Sequence, residues 1–196
     1  MRNCYQIRND FIQAVEFSHD LFRVHVKKGS TVIDATAGNG HDTCFLASLV
    51  GEKGQVYSFD IQKKAIEKTK ALLKEQNLEE RVYLIHDGHE NLDNYIKGQF
   101  IDGVIFNLGY LPGGDKKIIT TPDTTITALK KCLPLIKPGG IVVIVIYTGH
   151  EGGKDEEEKI IKYAEKLNYT EYNVLRYHFI NQRKTPPQVL AIKKRL

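Results

Sequence analysis

The stretch Asp34-Ala35-Thr36-Ala37-Gly38-Asn39-Gly40 decides the fold. It continues the short β-branched run Thr31-Val32-Ile33 and leads into residues 41–50, which read as a helix. A strand over 31–36, a Gly-x-Gly turn and a helix make the first βα unit of an open α/β sheet. In such sheets ligands bind outside the carboxyl ends of the strands, beside the reversal of strand order. Gly38 and Gly40 let backbone approach a ligand with no Cβ in the way. Asp34, at the strand end, is expected to attract a cationic group, either an ammonium or a sulfonium.

Upstream, Phe11, Ala14, Val15, Phe17, Leu21, Phe22 and Val24 recur at roughly helical spacing. Residues 1–26 are therefore an N-terminal helical segment, broken by Lys27-Lys28-Gly29-Ser30. Downstream the unit repeats. Strands are expected over 55–60, 82–86, 101–107 and 141–147, and helices over 62–76, 92–96, 124–136 and 156–167. The most apolar strand, 141–147, is expected near the sheet centre. Two closing strands, 171–179 and 189–194, lack a helix between them and should pair antiparallel. The expected architecture is a Rossmann-like α/β fold, a seven-stranded mostly parallel sheet with helices on both faces and a C-terminal antiparallel hairpin.

The 196 residues suffice for one hydrophobic core, and residues 1–196 read as one domain. Hydrophobic residues make up 41% and charged residues 27%, as in soluble globular proteins. A net charge of +4 permits phosphate contacts with RNA without requiring them. Cys4, Cys44 and Cys132 are odd in number and have no CxxC spacing, which argues against a disulfide framework or a zinc site. No apolar run approaches the ~18 residues of a membrane span. A cytoplasmic protein without metal is expected, and a homodimer stays open.

The Gly-x-Gly turn also suits dinucleotides, but their fingerprint continues to a third small residue. Thr43 stands there, after His41 and Asp42. Carboxylates at 34 and 42 discourage a pyrophosphate, which needs bare N–H groups. S-adenosylmethionine has no phosphate and a zwitterionic end, so it is the expected cofactor. Asp60 ends the second strand 20 residues past Gly40, placed for ribose hydroxyls. The alternative is a helix cap acting through Ile61-Gln62. Asp87-Gly88-His89 follows the third strand and could meet the adenine amino group, or be an ordinary turn.

The second strong feature is Phe106-Asn107-Leu108-Gly109-Tyr110-Leu111-Pro112-Gly113-Gly114-Asp115. Asn107 can accept hydrogen bonds from an incoming amine. Tyr110 can stack on a planar base or exclude water. Methyl transfer is an in-line displacement that needs alignment and a dry pocket. His41, His89 and His150 could each border the site. The tail from Arg176 to Pro187 mixes basic, aromatic and amide groups and, with Lys116 and Lys117, could form a basic rim for RNA.

These strings, with Phe59-Asp60-Ile61-Gln62 between them, resemble the tRNA 5-(aminomethyl)-2-thiouridine methyltransferase family, long labelled rRNA methylases. The resemblance runs from about Phe17 to the C-terminus, and its most specific part is Asn107 to Asp115. It implies a class I methyltransferase and methyl transfer to the aminomethyl nitrogen of a wobble uridine in the tRNA anticodon loop. It implies that Asn39, Asp60, Gln62 and His89 bind cofactor and that residues 107–110 face the base. The expected cofactor set is then Asp34, Gly38, Asn39, Gly40, Asp42, Asp60, Ile61, Gln62, Asp87, Gly88, His89 and Asn107. The expected substrate set is Leu108, Gly109, Tyr110, Leu111, Pro112, Lys116 and Arg183, with Asn107 and Tyr110 as the catalytic pair. The rival readings are an rRNA or small-molecule amine methyltransferase, an NAD-dependent oxidoreductase, and a non-catalytic RNA-binding module.

Overall fold

The computed structural model of the chain describes residues 11–114, 118–182 and 185–196. Among them the elements follow in the order α1 (Ala14–His25), β1 (Thr31–Asp34), α2 (His41–Val50), β2 (Gln55–Phe59), α3 (Lys63–Glu75), β3 (Val82–Ile85), β4 (Ile101–Asn107), α4 (Pro122–Leu135), β5 (Ile136–Ile146), α5 (Gly153–Glu165), β6 (Tyr172–Tyr177) and β7 (Gln188–Lys194). The sheet order is β3-β2-β1-β4-β5-β7-β6. The first five strands in that order are parallel, and β7 runs antiparallel to both neighbours. This is the expected Rossmann-like sheet with its reversed C-terminal pair. Strand order reverses between β1 and β4, so the crevice opens above the ends of those two strands.

β4 and β5 are near-continuous apolar runs because both of their faces are covered. On one face Phe106 and Ile144 pack with Leu129 of α4 and Ile160 of α5. On the other, Ile105 and Val143 pack with Phe22 of α1, Leu46 of α2 and Leu73 of α3. Gly103 in β4 seats α1, since a Cβ there would stand 2.8 Å from Phe22 Cε1. Phe17 stacks on Tyr177, and Tyr177 Oη donates to Ile12 O, which ties α1 to the end of β6.

The boundaries shift for local reasons. α4 begins at Pro122, because Thr121 caps it by accepting from Thr124 N–H and proline suits the first turn. Ile136 is already paired with Ile101, and residues 137–140 bulge out before Ile141 pairs with Gly103. β5 is an interior strand, between β4 and β7. The short helix expected at 92–96 is a 3-10 turn over His89–Asn94. Among the described residues, no helix is long and apolar enough to cross a membrane.

Candidate active site

A cavity of about 780 Å³ opens at the strand-order reversal, a volume ordinary for a small-ligand site. One end is built from the turn after β1 (Gly38, Asn39), the end of β2 (Asp60, Ile61, Gln62) and the turn after β3 (Asp87, Gly88, His89). The other end is built from the β4 terminus (Asn107, Leu108, Gly109, Tyr110), Thr120 and Thr124 before and in α4, and Tyr147 and His150 beyond β5. Asp42, Asp60, Asp87 and Glu90 all line the cavity. Four carboxyl groups suit a cationic ligand and repel a diphosphate.

Asp60 organises the first end. Its Oδ2 accepts from Gly38 N–H at 2.9 Å and its Oδ1 from Gln62 N–H at 2.8 Å. The carboxylate thus joins the Gly-x-Gly turn to the start of α3 and keeps lone pairs for ligand hydroxyls. The capping alternative and the ligand role are therefore compatible. Ile61 beside it is 55% exposed, an apolar cover for a planar base. Asp87 lines the cavity, but its carboxylate is engaged by Gly88 N–H, Asn91 and Tyr95. Those bonds hold its pKa below the ordinary carboxylate value, the Asn91 amide contributing most.

His89 is buried, and its pKa is lowered, chiefly by that burial. Its Nδ1 lies 3.0 Å from Ala35 O. A carbonyl can only accept, so Nδ1 carries the proton. Nε2 is then a bare acceptor, buried in the cavity wall without a partner among the described residues. An orphaned acceptor, an ionisable carboxyl at Asp60 and an open glycine turn fit a nucleoside with hydroxyl and N–H donors. These residues can hold S-adenosylmethionine.

Asp34 corrects the sequence reading. It lies behind the cavity wall, fully buried. Thr43 Oγ1 donates to its Oδ2 at 2.5 Å and Thr36 N–H to its Oδ1 at 3.1 Å. Burial, reinforced by the nearby Asp42 carboxylate, pushes its pKa up to about 7. A group so placed holds the turn together and does not face a ligand. Gly40 is also behind the wall. Its φ of +88° starts α2, and a Cβ there would meet Thr69 Cα at 3.0 Å.

The second end centres on Asn107. Its backbone N–H donates to Thr36 Oγ1 at 2.7 Å and its side-chain Nδ2 to Asp42 Oδ2 at 3.1 Å. Asp42 Oδ1 faces His19 Nε2 of α1 at 2.7 Å. Leu111 is buried and lies 3.8 Å from a Cβ position on Gly38, while Pro112 O accepts from Asn39 Nδ2 and Gly113 O from Lys64 Nζ. The loop expected to face substrate is thus also folded back over the cofactor turn. Glu156, buried in α5, accepts from Thr120 and Thr125 hydroxyls, and Thr120 Oγ1 accepts from Gly109 N–H. Burial raises the Glu156 pKa despite those bonds.

Lys116 and Arg183 lie outside the described residues, as do Lys117 and Cys4. None of the described residues of 176–187 lines the cavity. Arg176 is paired with Glu157 and Gln188, and Tyr177 and Phe179 pack with Phe17 and Phe11. Thr185 Oγ1 lies 3.5 Å from a Cβ position on Gly149, in the loop that carries His150. Sequence reasoning missed Thr36, Glu90, Thr120 and Tyr147 as wall residues and Glu156 as the support of Gly109. Among the described residues no cluster of metal-ligating side chains occurs.

The chain matches the model of a family described as "Putative rRNA methylase" over residues 56–193. A tRNA (mnm(5)s(2)U34)-methyltransferase, chloroplastic, from Arabidopsis thaliana is 38% identical over 93% of this chain and 70% of its own length. The crystal structure of a "putative rRNA-methylase" from Clostridium thermocellum is 48% identical, with TM-score 0.92 over 94% of this chain and 99% of that one. A methyltransferase structure from Streptococcus mutans, in complex with SAH, is 38% identical, with TM-score 0.86 over the same shares. With its sheet order, its acidic crevice and these relatives, the chain belongs to this family of S-adenosylmethionine-dependent methyltransferases.

Proposed function

We propose that the chain methylates the nitrogen of a 5-aminomethyl group on wobble 2-thiouridine in the tRNA anticodon loop, as a single domain acting in the cytoplasm. The observation that carries this reading is the orientation of Asn107. Asp42, when ionised, can only accept, so the Asn107 amide must turn its NH2 toward Asp42. Its carbonyl oxygen is then the face left for a substrate, and a carbonyl oxygen recognises an N–H donor. A carbon nucleophile offers no such donor, and a hydroxyl offers one hydrogen where an amine offers two or three.

S-adenosylmethionine supplies a methyl group already activated by its positive sulfur. The chain supplies position and dryness. Asp60, Ile61, Gln62 and His89 would hold the cofactor. Asn107 fixes the amine, and Tyr110, 40% exposed at the rim, gives a flat face for a base. The name of the Arabidopsis relative supports a tRNA substrate, since the similarity spans nearly the whole of this chain. Similarity to ribosomal RNA small subunit methyltransferase H of Oenococcus oeni spans only 27% of that protein and 43% of this chain, which favours tRNA over rRNA.

The test is nucleoside mass spectrometry of tRNA bearing 5-aminomethyl-2-thiouridine, incubated with protein and cofactor. A gain of one methyl on that nucleoside is expected. An unchanged nucleoside alongside methylated rRNA would overturn the substrate assignment.

A further inference from the structure

An amine delivered at neutral pH arrives mostly as an ammonium. An alkylammonium titrates near the lysine value, so roughly four parts in ten thousand are free amine at pH 7. The ammonium has no lone pair to attack with. Asn107 can hold it but cannot take a proton. Asp42 orients the Asn107 amide only while it stays ionised, so it is not the group that takes the proton. His89 Nε2 stands at the cofactor end, beside Ala35. A proton acceptor at the substrate end must come from elsewhere.

His150 meets the requirements. It sits in the loop between β5 and α5, and its Nδ1 lies 2.9 Å from Glu151 O. The carbonyl fixes the proton on Nδ1, so Nε2 is a bare lone pair. That Nε2 is buried, lacks a partner among the described residues, and belongs to a side chain lining the cavity. Two glycines make room for the ring. A Cβ on Gly109 would stand 3.4 Å from Nε2, and one on Gly153 would stand 3.1 Å from Cε1. Tyr110 meets the ring edge-on, with centroids 6.2 Å apart. The titratable groups placed around it are Glu151 beside it, Tyr110, Tyr147 at the same cavity wall, and Glu156 on α5. The His150 charge opposes the upward push of burial on the Glu156 carboxyl.

We propose that His150 is the general base of the reaction, its Nε2 taking one proton from the substrate ammonium at the Asn107–Tyr110 end of the cavity. This rests on the amine-methylation reading above. The N–H bond breaks, its electron pair stays on nitrogen, and the proton forms the Nε2–H bond of imidazolium. The amine turns about its C–N bond to present the lone pair. The N–CH3 bond then forms as the S–CH3 bond breaks, giving a secondary ammonium and the neutral thioether. Imidazolium returns its proton to solvent after product leaves.

The test uses His150→Gln and His150→Ala, with the stem-loop bearing 5-aminomethyl-2-thiouridine as substrate. Two controls come first: an unchanged melting temperature and an unchanged cofactor dissociation constant. The variants should lose roughly 10²-fold in kcat/KM at pH 7. They should recover most of it by pH 9.5, where free amine is abundant. Profiles parallel to wild type across that range would overturn the proposal. A second readout needs no cofactor. In 15N-histidine spectra His150 should show protonated Nδ1 and bare Nε2, and adding the stem-loop should shift Nε2 toward the protonated position. A protonated Nε2 in the free protein, or no response to the stem-loop, would equally overturn it. A wild-type protein that leaves the aminomethyl group unmethylated would fail the substrate reading, while the free-protein spectra would still report on the tautomer.

Discussion

The Asn107 side chain donates to Asp42 Oδ2 at 3.1 Å, so an amide at the end of β4 is oriented by a carboxylate in the first turn of α2. Orientation is the point of the contact. An unassisted amide can present oxygen or nitrogen to the cavity, and only one of these accepts from an amine. Asn107→Ala should leave cofactor affinity within twofold and lower turnover by roughly 10²-fold, the scale set by removing one positioned polar group. Calorimetry with S-adenosylmethionine and single-turnover methylation separate the two effects. Wild-type turnover by the variant would make Asn107 a structural residue.

Asp42→Asn should be milder and should act on the same step. The pair would still hydrogen-bond, but Asn107 could flip. The charge-assisted bond is lost, and turnover should fall about tenfold or more. Cofactor affinity should drop less than turnover. A variant that lost affinity and kept turnover at saturation would place Asp42 against the cofactor instead.

Asp60 gives the sharpest test of the cofactor end. Its carboxylate accepts from Gly38 and Gln62 N–H groups and faces the cavity. Asp60→Ala removes both internal bonds and the ligand acceptor, and should weaken cofactor binding by about 2 kcal/mol or more. Asp60→Asn keeps an acceptor and should fall in between. Full-affinity binding by the alanine variant would remove Asp60 from the site.

How much of this was legible depends on what fixes each residue. Asp60 and Asn107 could be read from sequence because a polar residue closing an apolar strand, in an alternating βα chain, is expected at the crevice. Asp34 satisfied the same rule and does not face the cavity. Alternation does not say which strand-end carboxyl turns outward and which turns into the helix layer, where Thr43 waits. Tyr177 and Phe179 belong to the tail expected to form a rim for RNA, yet they pack beside α1, a long-range contact that composition cannot reveal. Glu156 and Thr120 meet across 36 residues through the path of a loop, again beyond local pattern. A signal for His150 did exist. It lies in Thr148-Gly149-His150-Glu151-Gly152-Gly153, a glycine-rich turn closing the most apolar strand.

Gly40 should prove structural rather than ligand-binding. Its φ is +88° and a Cβ would press on Thr69 Cα at 3.0 Å, which is backbone and cannot swing aside. Gly40→Ala should cost about 1–3 kcal/mol of stability through backbone strain. Urea unfolding checks this. Cofactor affinity, measured where the variant is fully folded, should fall much less than for Asp60→Ala.

Asp34 should leave its mark on stability as a function of pH. In the unfolded chain its carboxyl releases a proton near pH 4. In the folded chain burial and the Asp42 charge hold that proton until about pH 7. Between those values the folded state binds a proton that the unfolded state has lost. Its contribution is therefore fully present below pH 4 and lost as pH rises through 7. Asp34→Asn cannot titrate. Relative to wild type, the variant should gain stability steadily from pH 4 to pH 7 and hold that gain above it. Thermal melts at half-unit pH steps measure the difference. Two curves that ran parallel through this window would mean that Asp34 is ionised in the fold and that the Thr43 and Thr36 donors outweigh its burial.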